Sequence, residues 1–317
     1  MKLGQKKPLR SRGQRMAALV SSTLALAKAR PLGAIAASGL ILMVLVALLA
    51  DVVATHDPLQ QTVRILEPPS AGHFFGTDDL GRDVFSRVVH GARATLFVGF
   101  LSLGLATASG VAIGTVSAYR GGTFDLLVQR FVDVFLGFPF LVAALIVVVA
   151  LGPSSISAAL AIALALAPQI ARLSRAAVLS TKEEGYVEAA RASGAGPARI
   201  IWRHLLPNSF PPILAQITGY LGTAVVAETA LSFLRLGVPP PDPSWGRMLQ
   251  EGVQQYFEVA PWAIMFPGLA LAITVLSAAL LGDQLRNLVW AKENAHPKVK
   301  VESGTLTLGS QGMEPRD

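Results

Sequence analysis

The chain has 317 residues, of which 52% are hydrophobic and 15% charged, with a mean hydropathy of +0.52. Soluble domains carry about 25% charged residues, and the apolar residues here are grouped into long runs, so the composition indicates membrane spans rather than a large soluble core. Cysteine is absent, which excludes disulfides, thiolate metal sites and cysteine nucleophiles.

The net charge of +7 and the pI near 10.0 have two interpretations, a nucleic-acid partner or basic cytoplasmic loops of a membrane protein. The second is favoured because Lys and Arg cluster between the apolar runs. We therefore predict no nucleic-acid partner and expect contact with membrane lipid.

The N-terminal segment 1–31 contains eight Lys or Arg and no acidic residue, which predicts a basic cytoplasmic tail. Residues 32–50 are uncharged and long enough for one helical span, so 32–90 is predicted to hold the first transmembrane helix and an external loop. A cleaved signal peptide is the alternative. The apolar run exceeds the usual length of such a signal, which favours an uncleaved anchor.

The later apolar runs predict five further spans, within a core transmembrane domain over 91–290. The uncharged run 134–171 is divided by "GPSS" into two helices, and we assign the preceding "DLLVQRFVD" to the first of them. Residues 291–317 are polar and predict a flexible cytoplasmic tail. The remaining runs are 94–118, 203–228 (continuing through "TALSFL") and 258–283.

The charges of the loops predict the orientation of the spans. Residues 172–203 carry six Lys or Arg and residues 283–317 carry five, whereas 236–258 carries one basic and three acidic residues. Positive charge accumulates on the cytoplasmic side. Both termini are therefore expected in the cytoplasm, and the fold class is an all-α membrane protein with six transmembrane helices.

A polar stretch, "EEGYVEAARASGAGPARIIWRHLLPN" (183–208), lies between two of these runs. It predicts two short helices hinged at Gly194 and Gly196, because glycine commonly ends a helix and Pro197 suits the first turn of the next. Pro207 is expected to end the second helix. Ile201 and Trp202 lie near water, which suggests a partner surface; an interfacial helix resting on lipid is the alternative.

This stretch resembles the "EAA" signature of permease subunits of bacterial binding-protein-dependent ABC importers. The resemblance implies a type I ABC importer permease fold, a cytoplasmic coupling helix that docks on an ATPase subunit, a second homologous permease, two ATPase subunits and an external substrate-binding protein. It also implies that ATP and Mg²⁺ are bound by the ATPase subunits, with no cofactor on this chain. The matching positions are Glu188, Ala189, Ala190, Gly194, His204 (where an aliphatic residue is usual), Leu206 and Pro207, with Ile201 on the same coupling region.

Two more stretches, 75–96 and 228–249, resemble the C-type permeases of the dipeptide/oligopeptide/nickel subgroup. The resemblance extends over about residues 30–290. Arg235 departs from it, because the family usually has Gly at this position of "LSFLGLG". Di- and oligopeptides are the first choice of solute, while nickel and other small solutes stay open.

The charged and titratable residues predict no catalytic centre in this chain. A P-loop needs a Gly-Lys pair, which the sequence lacks, so the chain is not expected to be an enzyme and ATP hydrolysis is expected on a separate subunit. The five His residues show no ligand spacing, so no metal site is predicted. Five charged residues form a patch that is expected to be a structured external loop: Asp78, Asp79, Arg82, Asp83 and Arg87.

Glu228 lies inside an apolar run, where ionisable groups are costly and often functional. It is expected either to line the translocation path or a subunit interface, or to contact water at the outer end of its helix. The alternative function is an ATP-independent secondary transporter or channel, which predicts charges in several spans and often an inverted repeat. Glu228 alone meets the first criterion, and no repeat is evident.

Overall fold

The structure is a computed structural model that describes residues 31–294, except the side chains of Gln255 and 290–294. The described chain is helical and has no β-strand; its single isolated bridge pairs Thr77 with Asp83. The helices are α1 (Pro31–Leu48), α2 (Ala50–Val53), α3 (Val84–Arg120), α4 (Gly122–Leu136), α5 (Phe140–Leu151), α6 (Ser155–Lys182), α7 (Gly185–Ala192), α8 (Pro197–Ile200), α9 (Leu206–Phe233), α10 (Trp245–Gln255) and α11 (Trp262–Asn294).

The described helices bear out the predicted architecture of a multi-span membrane protein. Five segments are long and apolar enough to cross a membrane, and α4 with α5 makes a sixth if the bent pair forms one span. The predicted basic tail lies outside the described residues apart from Pro31. At the other end α11 continues to Asn294, so the first residues of the predicted C-terminal tail are helical.

The assignment of "DLLVQRFVD" to the first helix of the run 134–171 is wrong, because that run begins in one helix and continues in another. Residues 125–133 belong to α4, which meets α5 at an angle of 89°. The break falls at Gly137–Pro139, where the proline ring disfavours helical backbone at Phe138. The Arg175 guanidinium on α6 fixes α4 by donating to both Asp125 oxygens, at 2.6 and 2.8 Å.

Glycines allow α3 to pack closely against α6. A Cβ on Gly110 would lie 2.8 Å from the Ala167 carbonyl oxygen, and one on Gly114 would lie 2.9 Å from the Arg175 backbone nitrogen. Small residues four positions apart let membrane helices approach at backbone distance. Both helices contribute to the main hydrophobic core, together with α9, α10 and α11.

The helix α10 lies across the beginning of α3 and is anchored there by Trp245. This side chain is fully buried, and its indole nitrogen donates a hydrogen bond of 2.9 Å to the Val88 carbonyl oxygen. Its ring lies over Gly91, where a Cβ would come within 3.1 Å. Since α3 runs without interruption from Val84, the predicted boundary at residues 90 and 91 falls inside a helix.

The end of α9 explains why glycine is the expected residue at position 235. Arg235 has φ of +63°, the left-handed conformation that favours glycine. The Leu236 amide donates to the Leu231 carbonyl oxygen and the Arg235 amide to that of Ser232, which are the two bonds of a Schellman motif. The Arg235 Nε also contacts Gln250 Oε1 at 3.2 Å.

Candidate functional site

The polar segment 183–208, here called the coupling segment, begins with α7, which ends in a tight glycine turn. Gly194 has φ of +80°, its amide donates to the Arg191 carbonyl oxygen at 2.9 Å, and the Ala195 amide donates to that of Ala190 at 3.1 Å. These bonds form a Schellman motif, as the glycine pattern predicts. Gly196 instead has φ of −69° and an extended backbone, and it precedes Pro197 at the first turn of α8.

The second half of the coupling segment continues into the long helix α9. Between α8 and α9 the residues Ile201–Leu205 form one π-helical turn. The prediction that Pro207 ends the helix is therefore wrong. The wider turn accommodates a proline that lacks an amide donor, and the Asn208 side chain donates to the His204 carbonyl oxygen at 2.7 Å. Residues 197–233 thus form one continuous helical body.

Apolar side chains hold the coupling segment against the ends of two membrane helices. Val187 on α7 and Ile200 and Leu205 beyond the turn are buried against Ala118 of α3 and Val178 of α6. This small core is separate from the main one. Burying three aliphatic side chains removes enough apolar surface to keep both short helices ordered, at roughly 1.5–3 kcal/mol for each side chain.

Polar contacts join the same helix ends. The Lys182 ammonium group donates to the Ala118 and Tyr119 carbonyl oxygens, at 2.8 and 3.0 Å. These carbonyl groups belong to the last turn of α3 and have no hydrogen-bond donor within the helix. The Thr181 and Ser209 hydroxyls lie 2.8 Å apart and connect α6 to α9. The coupling segment is thereby fixed to α3, α6 and α9 together.

The outward face of the coupling segment carries most of the residues that the sequence singles out. Trp202 is 74% exposed, and it lines an apolar cleft together with Val111 and Val116 of α3. The ring of His204 lies 6.5 Å from that of Tyr186, so an aromatic contact between the two halves stands where an aliphatic residue is usual. Glu188, Ala189, Gly194 and Pro207 are exposed, whereas Ala190, Ile201, His204 and Leu206 are half-buried.

The five charged residues that predict an external loop are mostly buried and lie in two clusters. In the first, Asp78 Oδ2 accepts from Arg82 Nε at 2.7 Å and lies 3.3 Å from Arg87 Nε. Both arginines also reach Glu251 of α10, at 3.5 and 3.3 Å. The network connects the loop before α3 to α10, and no pattern in the sequence indicates Glu251 as a partner.

Asp79 is the least well compensated member of this group. Its Oδ1 atom is buried without a hydrogen bond, and the nearest cationic atom is Arg82 Nη2 at 3.6 Å. Burial, followed by repulsion from Asp78, raises the pKa of the Asp79 carboxyl above its usual value. Asp83 belongs to the second cluster, where it caps α3 by accepting from the Ser86 amide at 2.8 Å.

Glu228 lies inside the packed chain, with no exposed surface. Its Oε1 accepts from the Ser232 hydroxyl at 2.7 Å, while Oε2 is buried without a hydrogen-bond partner among the described residues. In this conformation the side chain does not contact water at the helix end. The burial follows from α10, which packs over the end of α9, and a role of Glu228 in the translocation path or at a subunit interface stays a prediction.

Long apolar helices with an ordered polar helix pair at their ends define a multi-pass membrane protein. Residues 110–292 match the model of the family described as binding-protein-dependent transport system inner membrane component. The chain belongs to this family, whose permease subunits are not themselves catalytic.

Curated relatives agree with this assignment. The chain is 42% identical over 222 residues to the dipeptide transport system permease protein DppC of Alkalihalophilus pseudofirmus, covering 70% of this chain and 73% of the relative. It is 38% identical over 262 residues to the di/tripeptide transport system permease protein DppC of Pseudomonas aeruginosa, covering 80% and 86%.

A solved structure supports the fold. The inward-facing MetNI methionine ABC transporter, in its CY5 native crystal form, matches with a TM-score of 0.53 at 24% identity. The match covers 65% of this chain and 97% of that one. The predicted type I importer permease fold is confirmed at this level.

Proposed function

We propose that this chain is one membrane-spanning subunit of an ATP-driven importer of di- or oligopeptides. Its relatives include permeases named for dipeptides and for di- and tripeptides, at 42% and 38% identity. In the proposed complex a second, homologous permease completes the translocation path. An external binding protein delivers the solute, and two ATPase subunits bind ATP and Mg²⁺ on the cytoplasmic side.

The observation that carries the proposal is the direct connection of the coupling segment to α9. Residues 197–233 form one helical body, so a displacement of its exposed beginning by an ATPase subunit is passed to α9 without an intervening loop. The contacts of Lys182 and Thr181 extend the same displacement to α3 and α6. ATP-driven closure of the ATPase pair would in this way switch the path between inward-facing and outward-facing states.

The exposed face of the coupling segment fits a docking surface for the ATPase. Trp202 and Tyr186 present aromatic area, and aromatic side chains are enriched in the centres of protein interfaces. Glu188 is exposed and has no salt bridge among the described residues, so its carboxylate is free to pair with a basic group of the ATPase. The excess of basic residues in 172–203 supports a cytoplasmic position for this face, with both termini on the same side.

A matched pair of glycine substitutions tests the proposed coupling. At both Gly194 and Gly196 a Cβ would have no atom within 4 Å, but only Gly194 has positive φ. We expect Gly194→Val to distort the turn and to abolish peptide-stimulated ATP hydrolysis in the reconstituted complex. Gly196→Val, on an extended backbone that valine adopts readily, should retain it.

Different outcomes test the coupling to an ATPase and the identity of the solute separately. Equal activity of the two valine variants, or failure of the intact chain to co-purify with an ATPase subunit, would favour the alternative of an ATP-independent transporter or channel. Uptake of labelled dialanine by proteoliposomes that contain the full complex and its binding protein tests the solute. Coupled ATP hydrolysis without uptake of any di- or oligopeptide would leave the importer in place and reject peptides as its cargo.

A further inference from the structure

Two histidines and an aspartate from the segment before α3 meet in the folded chain. His73 Nδ1 lies 2.9 Å from Asp83 Oδ1, and His56 Nδ1 lies 3.8 Å from Asp83 Oδ2. The two imidazole rings have centroids 4.8 Å apart. One ligand atom from each residue can be chosen so that all three lie within 4.8 Å of one another.

Backbone and hydroxyl contacts fix the three side chains in place. The Ser86 amide and hydroxyl both donate to Asp83 Oδ2, at 2.8 and 2.7 Å, while the His56 amide donates to the Ser86 hydroxyl at 3.0 Å. His73 is held by its amide, which donates to the Ser70 hydroxyl at 3.2 Å. A binding site built on such a supporting shell needs little rearrangement to accept an ion.

The negative charge of the buried Asp83 carboxylate also favours a bound cation at this cluster. Asp83 is only 2% exposed, and within the described residues its carboxylate forms salt-bridge contacts with the two imidazoles and with no Arg or Lys. Its other partners are the Ser86 amide and hydroxyl and the Thr55 hydroxyl, none of which carries a positive charge. A buried carboxylate is normally paired with a cation or coordinates a metal.

We propose that His56, His73 and Asp83 bind one divalent transition-metal ion of the Zn²⁺ class. Two imidazole nitrogens and one carboxylate oxygen suit Zn²⁺, whereas Mg²⁺ and Ca²⁺ prefer all-oxygen sites. Donors at about 2.0–2.2 Å from a tetrahedral ion are about 3.4 Å apart. The two His–Asp separations of 2.9 and 3.8 Å lie on either side of this distance, and all three donors lie within 4.8 Å of one another. The fourth coordination position of the ion would be open to water, since His56 lies at the surface.

The ion would fasten the loop between α2 and α3 to the first turn of α3. His56 and His73 lie 27 and 10 residues before Asp83, so coordination closes two loops around one helix end. The proposal does not depend on which solute the protein transports, because none of the three residues belongs to the coupling segment.

The test uses the full chain in detergent micelles, purified with a tag that contains no histidine. All variants carry His296→Ala, which removes a histidine outside the described residues. We expect about one equivalent of Zn²⁺ by equilibrium dialysis and elemental analysis, a higher unfolding temperature in Zn²⁺ but not in Mg²⁺, and a tetrahedral absorption band with Co²⁺. His56→Ala should weaken Zn²⁺ binding at least about tenfold and remove the band.

His90→Ala is the matched control. This histidine is also near the start of α3, and its Nε2 lies 3.3 Å from Asp51, but it is not part of the cluster. It should keep Zn²⁺ binding and the Co²⁺ band. The proposal is overturned if the parent protein binds no Zn²⁺ at micromolar concentration, if His56→Ala binds as tightly as the parent, or if His90→Ala loses binding to the same extent.

Discussion

Arg87 of α3 and Glu251 of α10 are joined by a salt bridge of 3.3 Å between Nη2 and Oε2, although 164 residues separate them in the chain. Arg87 is 1% exposed and also lies 3.3 Å from Asp78. One buried guanidinium therefore connects the loop before α3 to the helix that covers α3. The stability of this end of the molecule depends on that contact.

Arg87→Ala should destabilise the protein by about 3–5 kcal/mol, because it leaves the buried Asp78 carboxylate and the half-buried Glu251 carboxylate with less compensation. Arg82 still contacts both acids, which places the expected loss toward the lower figure. Thermal unfolding in detergent measures the effect. The control is Arg286→Ala, which breaks an exposed pair with Asp283 and should cost about 0–1 kcal/mol. Similar losses in the two variants would contradict the role assigned to Arg87.

Gly114→Ala and Gly104→Ala should shift stability in opposite directions, although both lie on α3. A Cβ on Gly114 meets the Arg175 nitrogen at 2.9 Å and the Ala171 carbonyl oxygen closer still, so α3 and α6 would have to separate, at about 1–3 kcal/mol. Gly104 has nothing within 4 Å, and there alanine should stabilise the helix by about 0.5–1 kcal/mol. Chemical unfolding in mixed micelles compares them, and a stabilising Gly114→Ala would refute the close packing.

Substitutions at Arg235 separate backbone strain from side-chain contact. Arg235→Ala keeps the left-handed backbone and loses the hydrogen bond to Gln250, so it should be less stable than the parent by about 0.5–1.5 kcal/mol. Arg235→Gly loses the same bond but relieves the strain, and it should be more stable than the alanine variant by about 1 kcal/mol. The unfolding temperatures of the two variants give the comparison. Equal values would mean that the turn does not hold positive φ.

Asp79→Asn should stabilise the protein at neutral pH and lose this advantage in acid. The pKa of Asp79 is raised by burial, so ionisation of its carboxyl in the folded state costs stability at pH values above the unfolded pKa. That cost disappears as the pH falls below about 4, where the carboxyl is protonated in both states. Unfolding of parent and variant is measured from about pH 3 to pH 8, so that the range extends below the unfolded pKa of the carboxyl.

The control for the lost negative charge is Asp242→Asn, at an exposed position. It should leave the difference from the parent nearly constant with pH. An Asp79→Asn variant that is less stable than the parent at pH 7 would show that the contact with Arg82 outweighs burial of the carboxylate.

Properties of residues close together in the chain predict the positions of the long helices and of one turn. The lengths of the apolar runs place the long helices, since the energy of inserting a helix is a sum over its own residues. The turn at Gly194 is also predictable, because positive φ and the two Schellman bonds involve neighbours in the chain. The pattern around Glu188 likewise predicts an ordered helix pair over 183–208, and the coupling role of this segment stays a prediction.

Where the prediction fails, the cause is a contact or a backbone adjustment that has no local signature. Pro207 predicts a helix end by its missing amide, but a π-helical turn accommodates it and the helix continues. The length of an apolar run does not indicate a bend, so the sequence does not predict the angle between α4 and α5. The burial of Glu228 likewise depends on the packing of α10 over the end of α9, which its neighbours in the chain do not reveal.

A multi-span membrane protein with an ordered polar helix pair is predictable from the residues alone, because hydrophobicity, helix capping and turn preference act within a few residues. The pairing of distant side chains is visible only in the folded chain: Arg87 with Glu251, and His56 with His73 and Asp83. These contacts depend on distances of a few ångströms, which are set by the packing of whole helices and loops. No spacing along the chain encodes them.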